Sequence, residues 1–243
     1  MISYRSGSSL DSRGRGAEEA EVNRMQGASA ALLAIVAGLV FAQPDQVEPP
    51  ENVELYEIDA ERSEIYWLVY RAGAFARFGH NHVVSVGEMT GRVLLHPELE
   101  QSRFEIEIPV EALVVDDPAL RARMREHFTS VPSDKDIERT RRNMLSEEVL
   151  DGERYPSLRI TGTGPTVHAG EESLEITVEL RGRSVPLTVP TEIRLSGGTL
   201  EASGEFRLTH EELGLEPFSA AVGALRVGEP LDFTYRILAE RVE

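Results

Sequence analysis

From about residue 54 onward, apolar and polar residues alternate along short segments of the chain. In residues 104–110, apolar side chains occupy the even positions, and Glu105 and Glu107 lie between them. The same period of two recurs in residues 174–181, 185–189 and 200–208. This spacing predicts antiparallel strands with one buried face and one wet face.

Further strands are predicted where apolar runs stand between turn residues. Glycine and proline separate these runs, for example at Gly73, Gly182 and residues 228–230. The additional candidate strands are residues 54–59, 64–72, 87–96, 158–164, 190–195 and 231–240. Roughly nine or ten strands, each with a single apolar face, favour an all-β fold, either a closed or nearly closed barrel or a sandwich.

One segment has helical spacing instead. Leu120, Met124 and Phe128 recur at every fourth position, and Ser133 is then a suitable N-cap for a second helical stretch. We therefore expect a helical insertion at about residues 118–146, between two strands. A long insertion in a barrel often covers an opening.

The N-terminal part is predicted to be a targeting segment. Residues 25–44 carry no charge, and an apolar run ends at Ala42 before a Pro-rich stretch. This pattern is typical of a signal peptide over residues 1–42, cleaved after Ala42. Translation starting at Met25 is an alternative, with residues 1–24 a mis-assigned start. The other two interpretations of this apolar run are an uncleaved membrane anchor and a buried helix. Residues 43–53 are expected to be a linker, and residues 54–243 the folded domain.

Composition excludes several kinds of site. The 243-residue chain has 25 Lys and Arg against 42 Asp and Glu, a formal charge of −17. Such a chain is unsuited to gripping nucleic acid or anionic lipid headgroups through charge alone. Cysteine is absent, which excludes disulfides, thiol nucleophiles and cysteine-ligated metals.

A pair of histidines is the first candidate for chemistry. Residues 80–82 read His-Asn-His, and positions two apart in an extended segment point to one face. His210 lies in register with the inward face of its strand, so three histidines could meet at a barrel mouth. They would bind a ligand head group, ligate a metal, or make only structural hydrogen bonds. No suitably spaced carboxylate completes a metal site, so we expect no metal.

Two further features have a structural and a functional interpretation. Asp116 and Asp117 form a carboxylate pair before Pro118, where a helix cap is expected rather than acid–base catalysis. Trp67 lies in a strand that is apolar on both faces. That strand is either buried on both sides, or lines a ligand tunnel with one face and contacts a partner chain with the other.

Several motifs occur in an order that resembles a known family. The most specific is Leu150-Asp followed by Arg154-Tyr155-Pro156, just before a predicted strand. The other matching stretches are residues 56–59, 62–67, 78–82, 87–91, 115–118 and 136–144, with a looser match at residues 208–218. Over residues 54–241 the chain resembles the YceI-like family of lipid- or polyisoprenoid-binding proteins, which have a lipocalin-like barrel.

The resemblance implies an exported, non-enzymatic binding protein, periplasmic or secreted, that holds a long isoprenoid, quinone or fatty-acyl chain. It implies no cofactor beyond that bound lipid, no nucleic acid, a homodimer as an option, and membrane contact only during ligand exchange or through an uncleaved anchor. A pair like His80 and His82 is unusual for the family. The expected ligand-binding residues are Trp67, Val69, Phe75, Phe78, His80, His82, Met124, Phe128, Met144, Phe206 and His210.

Two alternatives to the carrier stay open at this point. One is a metal-dependent or stress-related protein that uses His80, His82 and perhaps His210. The other is a filled barrel that acts as an interaction module through its acidic surface. Alternation along strands does not by itself distinguish a hollow barrel from a packed one.

Overall fold

The computed structural model describes residues 52–124, 128–168, 170–220 and 222–242, all within one compact unit. The predicted signal peptide and most of the predicted linker lie outside the described residues. No helix within the described ranges is long and apolar enough to cross a membrane.

The described chain is dominated by strands, as the alternation predicts. The strands are β1 (Glu54–Ile58), β2 (Glu64–Ala72), β3 (His82–Val86), β4 (Thr90–Leu95), β5 (Arg103–Pro109), β6 (Leu113–Val115), β7 (Ser157–His168), β8 (Glu171–Leu180), β9 (Arg183–Pro190), β10 (Glu192–Ser196), β11 (Thr199–Thr209), β12 (Ser219–Ala220) and β13 (Leu225–Arg241). The two helices of the described part are α1 (Pro118–Arg123) and α2 (Asp134–Leu145). Strands β3 and β6 were not predicted. Strand β6 has only three residues, and in β3 the adjacent residues Val83 and Val84 are both buried, so apolar and polar positions do not alternate there.

All strands belong to one antiparallel sheet, in which the long strand β13 is central. One edge of β13 pairs with β11, and its other edge pairs with β2 and then with β1. From β2 the sheet continues to β3 and β6, and from β1 it continues through β4, β5, β7 and β8 to β9. A single continuous sheet replaces the two separate sheets that a sandwich would require.

The sheet is not a closed ring of hydrogen bonds. Strand β9 pairs with β8, and β10 pairs with β11, with Thr191 between the two. Within the described ranges no ladder joins β9 to β11, so of the predicted closed or nearly closed barrel the structure has the nearly closed form. The sheet nevertheless curls until β9 comes close to β11 and β13. The Tyr235 hydroxyl of β13 donates to the Pro190 carbonyl of β9 at 2.9 Å. A Cβ at Gly204 would lie only 2.2 Å from that carbonyl oxygen.

The helical insertion is confirmed, with shorter helices than the spacing suggested. Helix α1 ends at Arg123, so Phe128 lies beyond it. Helix α2 begins after Ser133, whose hydroxyl accepts from the Asp136 N–H at 3.3 Å, while the Asp136 carboxylate accepts from the Ser133 N–H. This reciprocal capping box satisfies two of the helix's free N–H groups and fixes where the helix starts.

The insertion covers the outer face of β2. Tyr66 and Leu68 pack against a small cluster in which Leu120 and Phe128 are buried. The aromatic rings of Tyr70 and Phe128 lie 6.5 Å apart on the same side. Strand β2 is therefore partly buried on both faces by the chain's own residues.

Candidate ligand-binding site

The curled sheet encloses a cavity of about 440 Å³ lined almost entirely by apolar side chains. The inward residues of the alternating strands supply this lining, for example Ile106 and Ile108 of β5 and Val178 of β8. The buried residues that surround the cavity form the main apolar cluster of the molecule. A hollow interior differs from the filled-barrel alternative, in which these side chains would meet.

An aromatic row crosses one wall of the cavity. Trp67 of β2 lies opposite Phe233 of β13, and Phe233 lies opposite Phe206 of β11. Cross-strand partners point to the same face, so all three rings face inward. The Trp67 and Phe233 ring centres are 5.7 Å apart, and those of Phe206 and Phe233 are 5.1 Å apart with nearly parallel planes. These rings present a broad apolar surface to a ligand chain.

The structure brings most of the predicted ligand-binding residues together. Eight of them line the cavity: Trp67, Val69, Phe78, His80, His82, Met144, Phe206 and His210. Phe75 is exposed beside the opening, while Met124 and Phe128 pack on the outer face of β2. These last two pack against Tyr66 and Leu68 instead of facing the cavity, and both lie beyond the end of α1 at Arg123.

The cavity opens between α2 and the 3-10 turn at Ala76–Phe78. Phe78 lines the cavity although 67 % of the residue is exposed, so it lies where the interior meets solvent. Asp136 and Arg139 of α2 line the cavity as well and form an ion pair at 2.6 Å. Helix α2 therefore forms one side of the opening.

Exposed apolar side chains lie on the loops next to this opening. The Phe75 N–H donates to the Ala224 carbonyl at 2.7 Å, which holds the Phe75 turn beside the turn that precedes β13. His80 contacts Ser130, which places the loop before α2 at the same opening. We call the exposed apolar residues of these three loops the apolar rim: Phe75, Phe78, Val131 and Val222.

His82 is held by a buried carboxylate rather than by backbone. Its Nδ1 lies 2.6 Å from Asp116 Oδ2, and its Nε2 lies 3.4 Å from the Thr140 hydroxyl on α2. The Asp116 side chain is fully buried, and Oδ1 also accepts from Arg121 at 2.5 Å and from the Val83 N–H at 3.0 Å. Asp116 therefore holds the His82 ring through a hydrogen bond and does not cap α1.

The cap of α1 is Asp117 alone, whose carboxylate accepts from the Leu120 N–H at 2.8 Å. The carboxylate pair thus divides into one capping residue and one buried partner for His82. Burial alone would raise the pKa of Asp116. The hydrogen bonds from His82 and the Val83 N–H, together with the positive charge of Arg121, outweigh that effect and hold this pKa below its ordinary value.

The other two histidines have weaker partners. His80 Nδ1 lies 3.1 Å from the Ser130 hydroxyl, and His210 Nδ1 lies 3.3 Å from the Glu229 carbonyl. Burial lowers the pKa of both residues, since it disfavours the charged imidazole. In the described part of the chain, no group of three His, Asp or Glu residues is arranged to hold a metal.

Sequence reasoning missed the polar residues of α2. Asp136, Thr140 and Asn143 all line the cavity, and their spacing of four and three residues places them on one helical face. That spacing was visible in the sequence. The pairing of Asp116 with His82 was not, because the two residues are 34 positions apart and meet only through the β3–β6 ladder.

Comparison with protein families assigns residues 56–237 to a YceI-like domain. The chain belongs to the YceI-like family. The family match spans β1 to most of β13 and so includes every strand that lines the cavity of this YceI-like domain. A search of the curated proteins finds no match to the chain.

Solved structures support the same fold. The YceI-like domain is similar to BcnA from Burkholderia cenocepacia, with a TM-score of 0.53 and 10 % identity over 74 % of this chain and 98 % of that one. It is also similar to a polyisoprenoid-binding domain from Saccharophagus degradans, with a TM-score of 0.50 and 11 % identity over 77 % of this chain and 98 % of that one. At such low identity the likeness shows a shared fold.

Proposed function

We propose that this YceI-like protein carries or sequesters a long apolar ligand, such as a polyisoprenoid, quinone or fatty-acyl lipid, without turning it over. The observation that carries the proposal is the apolar cavity of about 440 Å³. Each buried CH₂ contributes roughly 0.8 kcal/mol, so a chain inside an apolar tube is bound with little polar chemistry. The polyisoprenoid-binding domain of similar fold supports this choice of ligand class.

The opening suggests how the ligand enters. The apolar rim of Phe75, Phe78, Val131 and Val222 lies on loops next to the opening, and Arg77 lies over the Phe78 ring at 4.5 Å. Aromatic and basic side chains together suit the boundary between lipid headgroups and acyl chains. We infer that the protein exchanges its ligand with a membrane through transient contact of this rim.

We also propose export to the periplasm or the cell exterior, as the apolar run in residues 25–44 suggests.

The test is mass spectrometry of an organic extract from the full-length protein, purified without detergent from a native-like host. We expect a stoichiometric apolar lipid. Ala202 lines the cavity, so Ala202→Phe should fill part of it and reduce the amount of bound lipid. Glu205→Phe adds the same ring at an exposed position of the same strand and should leave the lipid in place. An extract without lipid, also after incubation with lipids, would contradict the proposal.

A further inference from the structure

The hydrogen-bonding groups around His82 favour one kind of ligand head group over others. The Asp116 carboxylate and the Arg121 guanidinium form a contact at 2.5 Å, with 0 % and 10 % of their side chains exposed. This pair is already electrically neutral. In its neutral form, His82 adds a hydrogen-bonding group to this end of the cavity without adding a charge.

The hydrogen bonds then fix which nitrogen of His82 carries the proton. An ionised carboxylate only accepts, so the 2.6 Å contact from Nδ1 to Asp116 requires a proton on Nδ1. In the neutral ring Nε2 then has a lone pair and no proton. Asp116 is thus a positioning residue that sets the tautomer of His82.

The Nε2 atom is an acceptor that is only loosely used. Its partner is the Thr140 hydroxyl at 3.4 Å, at the outer limit for a hydrogen bond. Both His82 and Thr140 line the cavity, and Asn143 lies one turn further along α2. A ligand group at this place therefore meets one strong acceptor, His82 Nε2, together with the Thr140 hydroxyl and the Asn143 side-chain amide.

A hydroxyl group matches this arrangement, because it donates to Nε2 and accepts from Thr140 or Asn143. A carboxylate or phosphate presents only acceptor oxygens to the lone pair of Nε2, and an ester or ether has no proton to donate. Three arginines also line the cavity: Arg71, Arg139 and Arg226. Arg139 is paired with Asp136 at 2.6 Å, and Arg71 donates to the Gly79 carbonyl at 2.6 Å, so a phosphate probe is needed to test whether these cations hold an anion instead. We propose that the ligand is a long-chain alcohol, with its hydroxyl group seated between His82 Nε2 and Thr140 Oγ1.

This inference rests on the proposed function, and the experiment separates the two. Three probes with the same isoprenoid chain are compared by the fluorescence of Trp67: farnesol, its methyl ether and farnesyl phosphate. We expect farnesol to bind roughly tenfold more tightly than the other two, the effect of one buried hydrogen bond. His82→Phe and Thr140→Val should both reduce this preference. His96→Phe is the matched control, at a histidine outside the cavity lining whose Nδ1 accepts from the Glu98 N–H at 3.0 Å, and it should keep the preference.

The outcomes are distinct. Equal binding of farnesol and its methyl ether, or tighter binding of the phosphate, overturns the hydroxyl head group and leaves the apolar carrier standing. If none of the three probes binds, this inference fails, and the organic extract of the purified protein decides the proposed function separately. The tautomer has its own readout, since nitrogen NMR of labelled histidine should show an unprotonated Nε2 at His82. A protonated Nε2 in the wild-type protein would also overturn the inference, and Asp116→Asn should change this signal.

Discussion

Trp67 stacks on Phe233 inside the cavity, with ring centres 5.7 Å apart, and it is the only tryptophan of the chain. The ring belongs to β2 and its partner to β13, so the contact spans the ladder at the centre of the sheet. A single indole on the cavity wall makes the protein its own reporter of ligand occupancy.

We predict that adding an apolar ligand shifts the Trp67 emission to shorter wavelength, because the ligand displaces water from the indole. Organic extraction of the bound lipid should reverse the shift. Trp67→Phe should abolish the signal and still bind ligand, since phenylalanine keeps an apolar ring on the wall. An emission spectrum that is identical for lipid-free and lipid-loaded protein would place the ligand elsewhere.

The apolar rim should control the rate of ligand exchange. We predict that Phe75→Ser combined with Phe78→Ser slows transfer of a fluorescent lipid from vesicles several-fold, because less apolar surface enters the interface. Both residues are exposed, so the melting temperature should change little. Val167→Ser is the matched control, at a residue that is 75 % exposed in β7 outside the rim. Equal slowing in the control would assign no special role to the rim.

Asp116 should make stability depend on pH in the acid range. Its folded-state pKa is lowered, so its contribution is fully present above the unfolded pKa of about 4 and is lost as pH falls through the folded value. Asp116→Asn removes the only carboxylate that pairs with the buried Arg121 in the described part of the chain, leaving it the Asn81 and Ser130 carbonyls, and should cost about 3–5 kcal/mol at neutral pH. The variant should also lose much of the dependence below pH 4.

Urea unfolding at several pH values measures both effects. Asp117→Asn is the matched control, because asparagine caps a helix as well as aspartate does. This control should lose little stability at neutral pH. If Asp116→Asn lowered the free energy of unfolding as little as Asp117→Asn does, the contacts of Asp116 with His82 and Arg121 would contribute little to stability.

We call the place where β9 approaches β11, at Pro190 and Gly204, the seam of the sheet. It should tolerate no side chain at Gly204. A Cβ there would lie 2.2 Å from the Pro190 carbonyl oxygen and 2.8 Å from the Tyr235 ring. Gly204→Ala must therefore push β9 away from β11, at a cost of about 1–3 kcal/mol. Thermal unfolding of this variant is compared with Gly152→Ala, where the nearest atom is 3.4 Å away and contact is ordinary. Equal melting temperatures for the two would show that the seam is open in solution.

The amino-acid sequence by itself determined the class of fold and much of the cavity wall. Alternation in segments such as residues 104–110 and 200–208 specifies which side chains face inward, because the period of a strand is two. The Ser133 cap likewise located the start of α2, since capping is a local interaction. Alternation placed Phe206 on the inward face for this local reason, whereas the strand of Trp67 and Val69 is apolar on both faces and its alternation did not decide which face lines the cavity.

Only the tertiary structure decided the polar end of the cavity and the course of the insertion. Asp116 has a backbone φ of 57°, a left-handed conformation that turns its carboxylate toward β3 instead of α1. Met124 and Phe128 keep helical spacing, but packing against Tyr66 and Leu68 draws them to the outside of β2. Closure of the sheet was also undecided, because it depends on how far thirteen strands curl and on a contact between Gly204 and Pro190. Contacts of this kind join residues far apart in the chain, and no local pattern encodes them.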